Sequence, residues 1–304
     1  MSTAGFVHDA LLYRDDDGFT AGVVPFLAAA IAAGGGAFAV VPRERGKAIQ
    51  DALGDQVRVL DMAEVGGNPS RLIPAVQELV DAVPGRPVHG VGEPVGPWRT
   101  AVEQAEVLLH EALVNLAFEQ AAGLRLRCPY DVAGLGEDVI ASARRSHPVL
   151  VEGERESASA DYDAGYAADV FAGSLPQPDS VVDMTHFTLD DLPEVRDLVT
   201  ARAGAFGLTR DRALDLALAT NEVVTNSVVH GGERGTLRVW HDDDTLVCEV
   251  SDGGHITELL VGRIMPLPSV RGGRGVWLAN QLCDVTQIRS TADSGTVVRL
   301  HMRR

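Results

Sequence analysis

The sequence predicts an α/β protein built in two parts, and three observations carry that prediction. Strand-like and helix-like segments alternate through the first 150 residues. A polar stretch from Val151 to Asp183 follows, rich in Glu, Asp, Ser, Ala and Pro. Beyond it the order changes to two helices, two strands, a helix and two strands. Repeated strand–helix units imply a parallel sheet covered by helices on both faces. The second order implies helices on one face of a mixed sheet, an α/β sandwich. The length of 304 residues suits two domains, and a hydrophobic content of 45% supports folded cores. The expected division is a domain over 5–150, a linker over 151–182 and a domain over 183–304.

In the first part, His8 to Tyr13 reads as a strand and Phe19 to Ala33 as a helix. Gly18 to Pro42 carries no charge and could be mistaken for a membrane span. Pro25 and the run Gly34-Gly35-Gly36 interrupt it, so a buried helix, a glycine stop and a buried strand, Ala37 to Val41, is the better reading. A helix over Arg43 to Leu53, a strand over Val57 to Asp61 and a helix from Pro69 to Val83 follow. Pro87 to Val91 and Leu124 to Cys128 are strands, with a long helix from Thr100 to Ala121 between them, and the helix Glu137 to Arg145 ends this half. The polar stretch reads as a linker with one short helix near Tyr166.

In the second part, Asp190 to Ala205 is a helix, and Thr209 is the N-cap of the next, with Asp211 in its first turn. Thr236 to His241 and Thr245 to Ser251 are strands around the hairpin Asp242-Asp243-Asp244. Glycines then lead into a helix ending near Cys283, and Val285 to Arg289 and Thr296 to His301 form a last hairpin.

The bulk properties narrow the function. A net charge of −17 argues against a nucleic-acid face. Lys47 is the only lysine, and Gly46-Lys47-Ala48 lacks the Ser or Thr that a phosphate-binding P-loop needs. Cys128, Cys248 and Cys283 are too scattered for a zinc pattern and suit a reducing cytoplasm. The first residues lack a basic start followed by an apolar run, so no signal peptide is expected.

The most informative stretch is Asn221 to Gly232. Glu222, Asn226 and His230 are spaced by four and share one side of a helix, with Leu214 and Leu218 earlier in the same row. The rest of that helix is apolar nearly all round, which predicts burial. A buried acid and amide need partners, and hydrated magnesium carrying phosphates would suit them. A polar helix end reaching solvent is the bland alternative. Two later segments tip the balance. Leu246 to Gly254 reads as a strand that breaks at Asp252-Gly253-Gly254, where the aspartate can accept from an exocyclic amine and the glycines admit a flat ring. Arg271-Gly272-Gly273-Arg274-Gly275 enters a helix, and free N–H groups there, flanked by arginines, make an anion site.

In this order and spacing the three segments resemble the N, G1 and G2 boxes of the GHKL (Bergerat-fold) ATPases, most of all the anti-sigma-factor serine kinases. The resemblance covers residues 183 to 304. It implies that Glu222 is a general base and that Asn226 holds magnesium. It implies that Asp252 binds the adenine amine and that Gly273 and Gly275 hinge a lid over the phosphates of ATP. His230, Gly254, Arg271 and Arg274 complete the candidate nucleotide site. One position departs from the pattern: Ile256 stands where the G1 box usually has a second glycine. The segment Ile256 to Val270, with Pro266 and Pro268, would be a brief, stiff lid.

In the first half, ligands are expected beyond the carboxyl ends of the strands, which carry Arg14, Pro42, Asp61, Glu93 and Cys128 to Asp131. The long helix adds His110, Glu111 and Asn115, while His8 and His147 stand apart. His8, His110, Glu93 and Cys128 are types that ligate a metal or haem, but nothing in their spacing demands one, and satisfied polar residues at a sheet rim are the better reading. The phrases His8 to Tyr13, Gly92-Glu93-Pro94, His110 to Asn115 and Cys128 to Asp131 resemble the MEDS sensory domain over residues 5 to 150. That resemblance implies a RecA-like α/β/α core without a P-loop that senses a small molecule. The candidate sensory residues are His8, Tyr13, Glu93, His110, Cys128 and Tyr130.

The combination resembles actinobacterial anti-sigma regulators, some loosely described as sensor histidine kinases. The latter need a dimerising helical hairpin with a phospho-accepting histidine. His186 sits in a strand or loop instead, which disfavours that reading. The leading expectation is a cytoplasmic switch that binds a signal, ATP and magnesium, and a sigma factor, and phosphorylates a serine or threonine of a STAS-type antagonist. A homodimer is implied only by the resemblance. The alternative is a module that sequesters a sigma factor without catalysis, to which Ile256 points. A metabolic enzyme on the first sheet ranks last, because no catalytic constellation supports it.

Overall fold

The computed structural model describes residues 5–178, 183–266 and 273–304. The chain divides into two compact units, Met1–Ala167 and Ala168–Arg304. The first begins with β1 (Val7–Tyr13), α1 (Asp16–Ala32), β2 (Gly36–Val41), α2 (Arg43–Leu53), β3 (Arg58–Asp61) and the short α3 (Met62–Val65). It continues with α4 (Leu72–Asp81), β4 (Val88–Gly92), α5 (Ala101–Ala117), β5 (Leu124–Asp131) and α6 (Glu137–Ser146). The hairpin β6 (Val149–Glu152) and β7 (Arg155–Ala158) follows, and α7 (Tyr166–Ala172) spans the boundary between the units. A seven-stranded sheet runs β3-β2-β4-β5-β1-β6-β7. Every pairing is parallel except that of β7 with β6, where a hairpin turns the last strand around.

The alternation within β1 sorts its side chains to two cores. Leu11 and Tyr13 join Phe19, Val23 and Leu27 of α1 and Ile49 of α2. Ala10 and Leu12 join Val107 of α5 and Val139 and Ala143 of α6. Helices therefore cover both faces, as expected for a parallel sheet. The uncharged stretch resolves into α1, a turn at Gly34 with φ 71° and the buried strand β2. Among the described residues no helix is long and apolar enough to cross a membrane.

Within the polar stretch expected as a linker, the described residues include regular structure. The β6–β7 hairpin lengthens the sheet, and α7 is the short helix expected near Tyr166. Its later residues lie on the second unit, where Arg299 donates to the Pro176 carbonyl (2.7 Å) and Arg238 to Gln177 Oε1 (2.9 Å).

The second unit contains β8 (Asp183–Phe187), α8 (Leu192–Phe206), α9 (Arg210–His230), β9 (Gly235–Asp242) and β10 (Thr245–Asp252). It ends with α10 (Arg274–Leu282), β11 (Val285–Thr291) and β12 (Gly295–Arg303). The sheet order is β11-β12-β10-β9-β8. Every pairing is antiparallel, where the sequence predicts a mixed sheet. The helical pair α8–α9 returns the chain so that β9 opposes β8. The single helix α10 does set β11 in the sense of β10, but β12 comes between them. α9 lies on β10 and β12, flanked by α8 and α10. Thr209 caps it by accepting from the Arg212 N–H, as its sequence predicts.

Candidate functional site

α9 presents Ala213, Leu216, Ala217, Thr220, Val223, Val224 and Ser227 to the interior. The row expected to be buried is the open one: Leu214 is 52% exposed and Leu218 44%. Further along it, Glu222 and Asn226 are half-buried and His230 is exposed. Apolar composition predicts burial only where a neighbour covers the face, and Leu214, Leu218 and His230 are left exposed.

Gly275, in the first turn of α10, meets that row. A Cβ there would lie 2.8 Å from Glu222 Oε2 and 3.1 Å from Asn226 Nδ2. The absent side chain thus leaves a cradle in front of the carboxylate and the amide. Gly273 is the N-cap of α10, in the left-handed region at φ 73°, and no side chain caps the helix. The start of α10 is the positive end of its helix dipole, a place where anions bind. Arg274 stands at the same helix start, exposed. Arg271 lies outside the described residues, as do Pro268 and the end of the expected lid.

Asp252 ends β10 and is tied down from both sides. Its Oδ2 accepts from Ser227 Oγ on α9 (2.6 Å) and its Oδ1 from the Gly254 N–H (2.7 Å). Each oxygen keeps a lone pair for a further donor. Gly231 and Gly254 press on this carboxylate, and a Cβ on Gly254 would sit 2.9 Å from Asp252 Oδ1. Behind it, Thr296 Oγ1 donates to the Gly254 carbonyl (2.9 Å) and the Ile256 N–H to Ser290 Oγ (2.9 Å). Ile256 is therefore held at the base of the loop. Asn280 of α10 donates to the Gly262 carbonyl (2.8 Å) and clamps the segment after it. A cavity of about 640 Å³ touches Asp252 and Gly253 from the β8–β9 side, and neither Glu222 nor Asn226 lines it. Sequence reasoning missed Ser227 and Thr296. Ser227 was legible as a polar residue on the apolar, sheet-facing side of α9, next to Asn226.

The candidate sensory residues fall into two groups. At the carboxyl ends of β1 and β4, Tyr13 donates to Glu93 Oε1 (2.8 Å). Arg45, which the sequence did not single out, lies over the Phe19 ring at 4.4 Å and places its Nε 4.0 Å from Glu93 Oε2. Burial pushes the Glu93 carboxyl up to about 7, against the opposing pull of Tyr13 and Arg45. It also raises the Tyr13 phenol, with help from Glu93. A cleft of about 720 Å³ opens beside the end of β1, lined in part by Tyr13, Arg14, Val132, Ile140 and Arg144.

His8, Cys128 and Tyr130 lie deeper, together with Glu111 and His147, and all five are buried. Cys128 sits within β5 and not at its rim. Burial, and then Glu111, raises the Cys128 thiol and the Tyr130 phenol well above their usual ranges. Burial alone would raise the Glu111 carboxyl, but the His147 and His8 imidazoles hold it well below the usual range. His110, also buried, is on the next position of α5.

An antiparallel sheet carrying α8, α9 and α10 thus follows a parallel-rich sheet covered on both faces. Residues 7–148 match the family model described as MEDS, the methanogen/methylotroph DcmR sensory domain. Residues 185–302 match the histidine kinase-like ATPase domain. The chain thus joins a MEDS domain to an ATPase domain of GHKL type, and the latter implies a nucleotide ligand. The second domain is also similar to proteins named anti-sigma F factor. Those of Thermoanaerobacter sp. (strain X514) and Thermoanaerobacter pseudethanolicus (strain ATCC 33223 / 39E) are 28% identical over 114 residues, covering 34% of this chain and 80% of each relative. That of Caldanaerobacter subterraneus subsp. tengcongensis is 29% identical over the same length and shares.

Proposed function

We propose that this chain is a signal-responsive regulator of transcription. Its second domain binds magnesium-ATP, captures a sigma factor and phosphorylates a serine or threonine of a STAS-type antagonist. The cradle at Gly275 carries the reading, because it sets Glu222 and Asn226 against an uncapped helix start. Bound ATP supplies the transferable phosphoryl group, and magnesium offsets its charge. Asp252, oriented by Ser227 and Gly254, accepts from the adenine amine. Asn226 would hold the cation through its amide oxygen, once the amide turns so that its nitrogen no longer faces Gly275. Glu222 takes the proton of the acceptor hydroxyl, and the first N–H groups of α10 with Arg274 face the phosphates.

The exposed pair Leu214 and Leu218 leads along α9 to Glu222 and offers an apolar approach for a protein that brings the acceptor. The cleft beside β1 is the proposed site of the small-molecule signal. Three free, buried cysteines fit a cytoplasmic home. His186 lies on the paired strand β8 and bonds Thr236 Oγ1 (3.0 Å), which suits a phospho-accepting histidine poorly.

Ile256 favours a second reading, in which the domain sequesters a sigma factor without phosphoryl transfer. Calorimetry of magnesium-ATP binding by the whole chain, then transfer of labelled phosphate to a STAS partner, separates the two. Binding is expected in the micromolar range and is lost in Asp252→Ala. Glu222→Ala is expected to keep the nucleotide and to lower transfer by about 10²–10⁴-fold. Binding without transfer by the wild-type chain leaves sequestration, and absence of binding removes the kinase reading.

A further inference from the structure

Four potential ligand atoms meet inside the first domain, one each from His8, Glu111, Cys128 and His147, all within 4.8 Å of one another. His8 Nε2 is 3.4 Å from Cys128 Sγ and 3.6 Å from Glu111 Oε2. His147 Nε2 is 3.0 Å from Glu111 Oε2. Tetrahedral ligands with bonds of about 2.0–2.3 Å stand roughly 3.3–3.8 Å apart, so these separations bracket the size of one ion. The four side chains come from β1, α5, β5 and the residue that ends α6.

The proton arrangement turns the lone pairs inward. His147 Nδ1 faces the Ala143 carbonyl at 2.8 Å, and a carbonyl only accepts, so Nδ1 carries the hydrogen. His8 Nδ1 faces Asn115 Oδ1 at 3.2 Å. The amide nitrogen of Asn115 is committed to the Ser146 carbonyl (2.7 Å) and to that of Ala112 (3.4 Å), which fixes its oxygen toward His8 as an acceptor. Both imidazoles therefore direct Nε2 into the cluster, each held by an outer hydrogen bond of the kind that orients histidine ligands. Among the described residues, Glu111 Oε1 has no hydrogen-bond partner, and Oε2 meets His147 Nε2 (3.0 Å) and His8 Nε2 (3.6 Å) as ion pairs without the alignment of a good hydrogen bond. Buried polar atoms left in that state are costly unless a cation takes their lone pairs.

We propose that His8, Glu111, Cys128 and His147 hold one divalent transition-metal ion in a closed, four-ligand site, with zinc favoured by the donor set. Two imidazole nitrogens, a carboxylate oxygen and a thiolate sulfur are all ordinary zinc donors, and sulfur disfavours magnesium and calcium. A dication with one carboxylate and one thiolate is electrically neutral, which suits its burial in the core. Binding expels the thiol proton, and the Cys128 sulfur bonds to the ion in its place. Four protein ligands leave no open position, so the ion cross-links β1, β5, α5 and the end of α6 and does not act on a substrate. The site is separate from the nucleotide face and stands whatever that face does. Because the ligands are fully buried, the ion enters while the chain folds.

The test is metal content of the full chain, expressed with zinc supplied, desalted and washed with a chelator, then analysed by plasma mass spectrometry. About one zinc per chain is expected, falling to below about a tenth in Cys128→Ser and in His147→Gln. Iron or copper at about one per chain, lost in both variants, upholds the site and changes only the ion. A wild-type chain below about a tenth overturns the proposal in favour of a proton-sharing cluster, and so does full loading of both variants. Where a variant fails to fold, wild-type chain from cobalt-supplied cells decides. A sulfur-to-cobalt charge-transfer band with tetrahedral d–d bands is expected, and cobalt uptake without the sulfur band excludes Cys128 as a ligand.

Discussion

His8, Asp9, Glu111 and His147 lie in the first domain with at most 1% of their surface exposed, whereas Glu222 and Asn226 in the second are half-buried and His230 is exposed. Both domains place acids, amides and imidazoles on helices and strand ends, yet they use them differently. In the first, polar groups are closed off by side chains from several elements, so each must be satisfied within the protein. In the second, one helix row and one helix start stay open, and the groups there can turn to something that arrives from solvent. On the readings proposed above, the closed cluster takes an ion, while the open row takes a nucleotide and a protein. Substitutions should therefore cost stability in the first domain and ligand affinity in the second.

Asp9 offers the sharpest way to break that contrast. Its carboxylate accepts from Arg127 Nε (2.6 Å), and Arg127 Nη1 donates to the Gly22 carbonyl (2.8 Å), both side chains being buried. Asp9→Ala leaves a guanidinium in the core with its main partner gone, and such losses cost about 3–5 kcal/mol. Replacing both partners, Asp9→Ala with Arg127→Met, is expected to recover much of this, because the desolvation cost goes with the charge. Urea unfolding followed by near-ultraviolet circular dichroism measures both. A loss under about 1 kcal/mol in the single variant would mean that water reaches this site, and the closed picture would fail.

Glu93 tests the same domain through pH. Its folded value of about 7 lies above the ordinary 4.5, so the folded chain retains a proton that the unfolded chain has released. Stability from this group is complete below about pH 4.5 and is lost as the pH rises through 7, by about 3 kcal/mol in all. Glu93→Gln still accepts from Tyr13 and cannot ionise. Its unfolding midpoint is expected to stay level between about pH 5 and 8, where that of the wild-type chain declines. A decline of equal size in the variant would assign the slope to another group.

The same contrast governs what could be read in advance. The strand–helix order of the first domain was legible because β2 is a continuous apolar run and α1 ends at a glycine turn. The edge strand β7, Arg-Glu-Ser-Ala, has no apolar alternation and read as linker, because an exposed edge needs none. The proposed nucleotide face was marked in the sequence as a row of four-residue spacings on one helix plus two glycine turns, since local geometry places those residues together. Its exposure was not legible, because composition does not say which neighbours cover α9. The cluster of His8, Glu111, Cys128 and His147 escaped for the opposite reason. Its members lie on four elements, and only the pairing of β1 with β5 and the packing of α5 and α6 bring them together.

The smallest expected effect is the most selective. Gly275→Ala puts a methyl group 2.8 Å from Glu222 Oε2 and 3.3 Å from Glu222 Cβ, where the cradle now stands open. Glu222 can turn toward solvent to make room, so stability should change by no more than about 0.5 kcal/mol. The space for phosphates is reduced all the same, and affinity for magnesium-ATP is expected to fall about tenfold, equivalent to about 1.4 kcal/mol. Calorimetry and a thermal melt on one preparation give both numbers. Unchanged affinity would place the nucleotide away from Gly275 and reopen the cavity between β8 and β9 as its site. Equal losses of affinity and stability would mean that Gly275 is needed for packing α10 on α9, and the open region would then resemble the closed one.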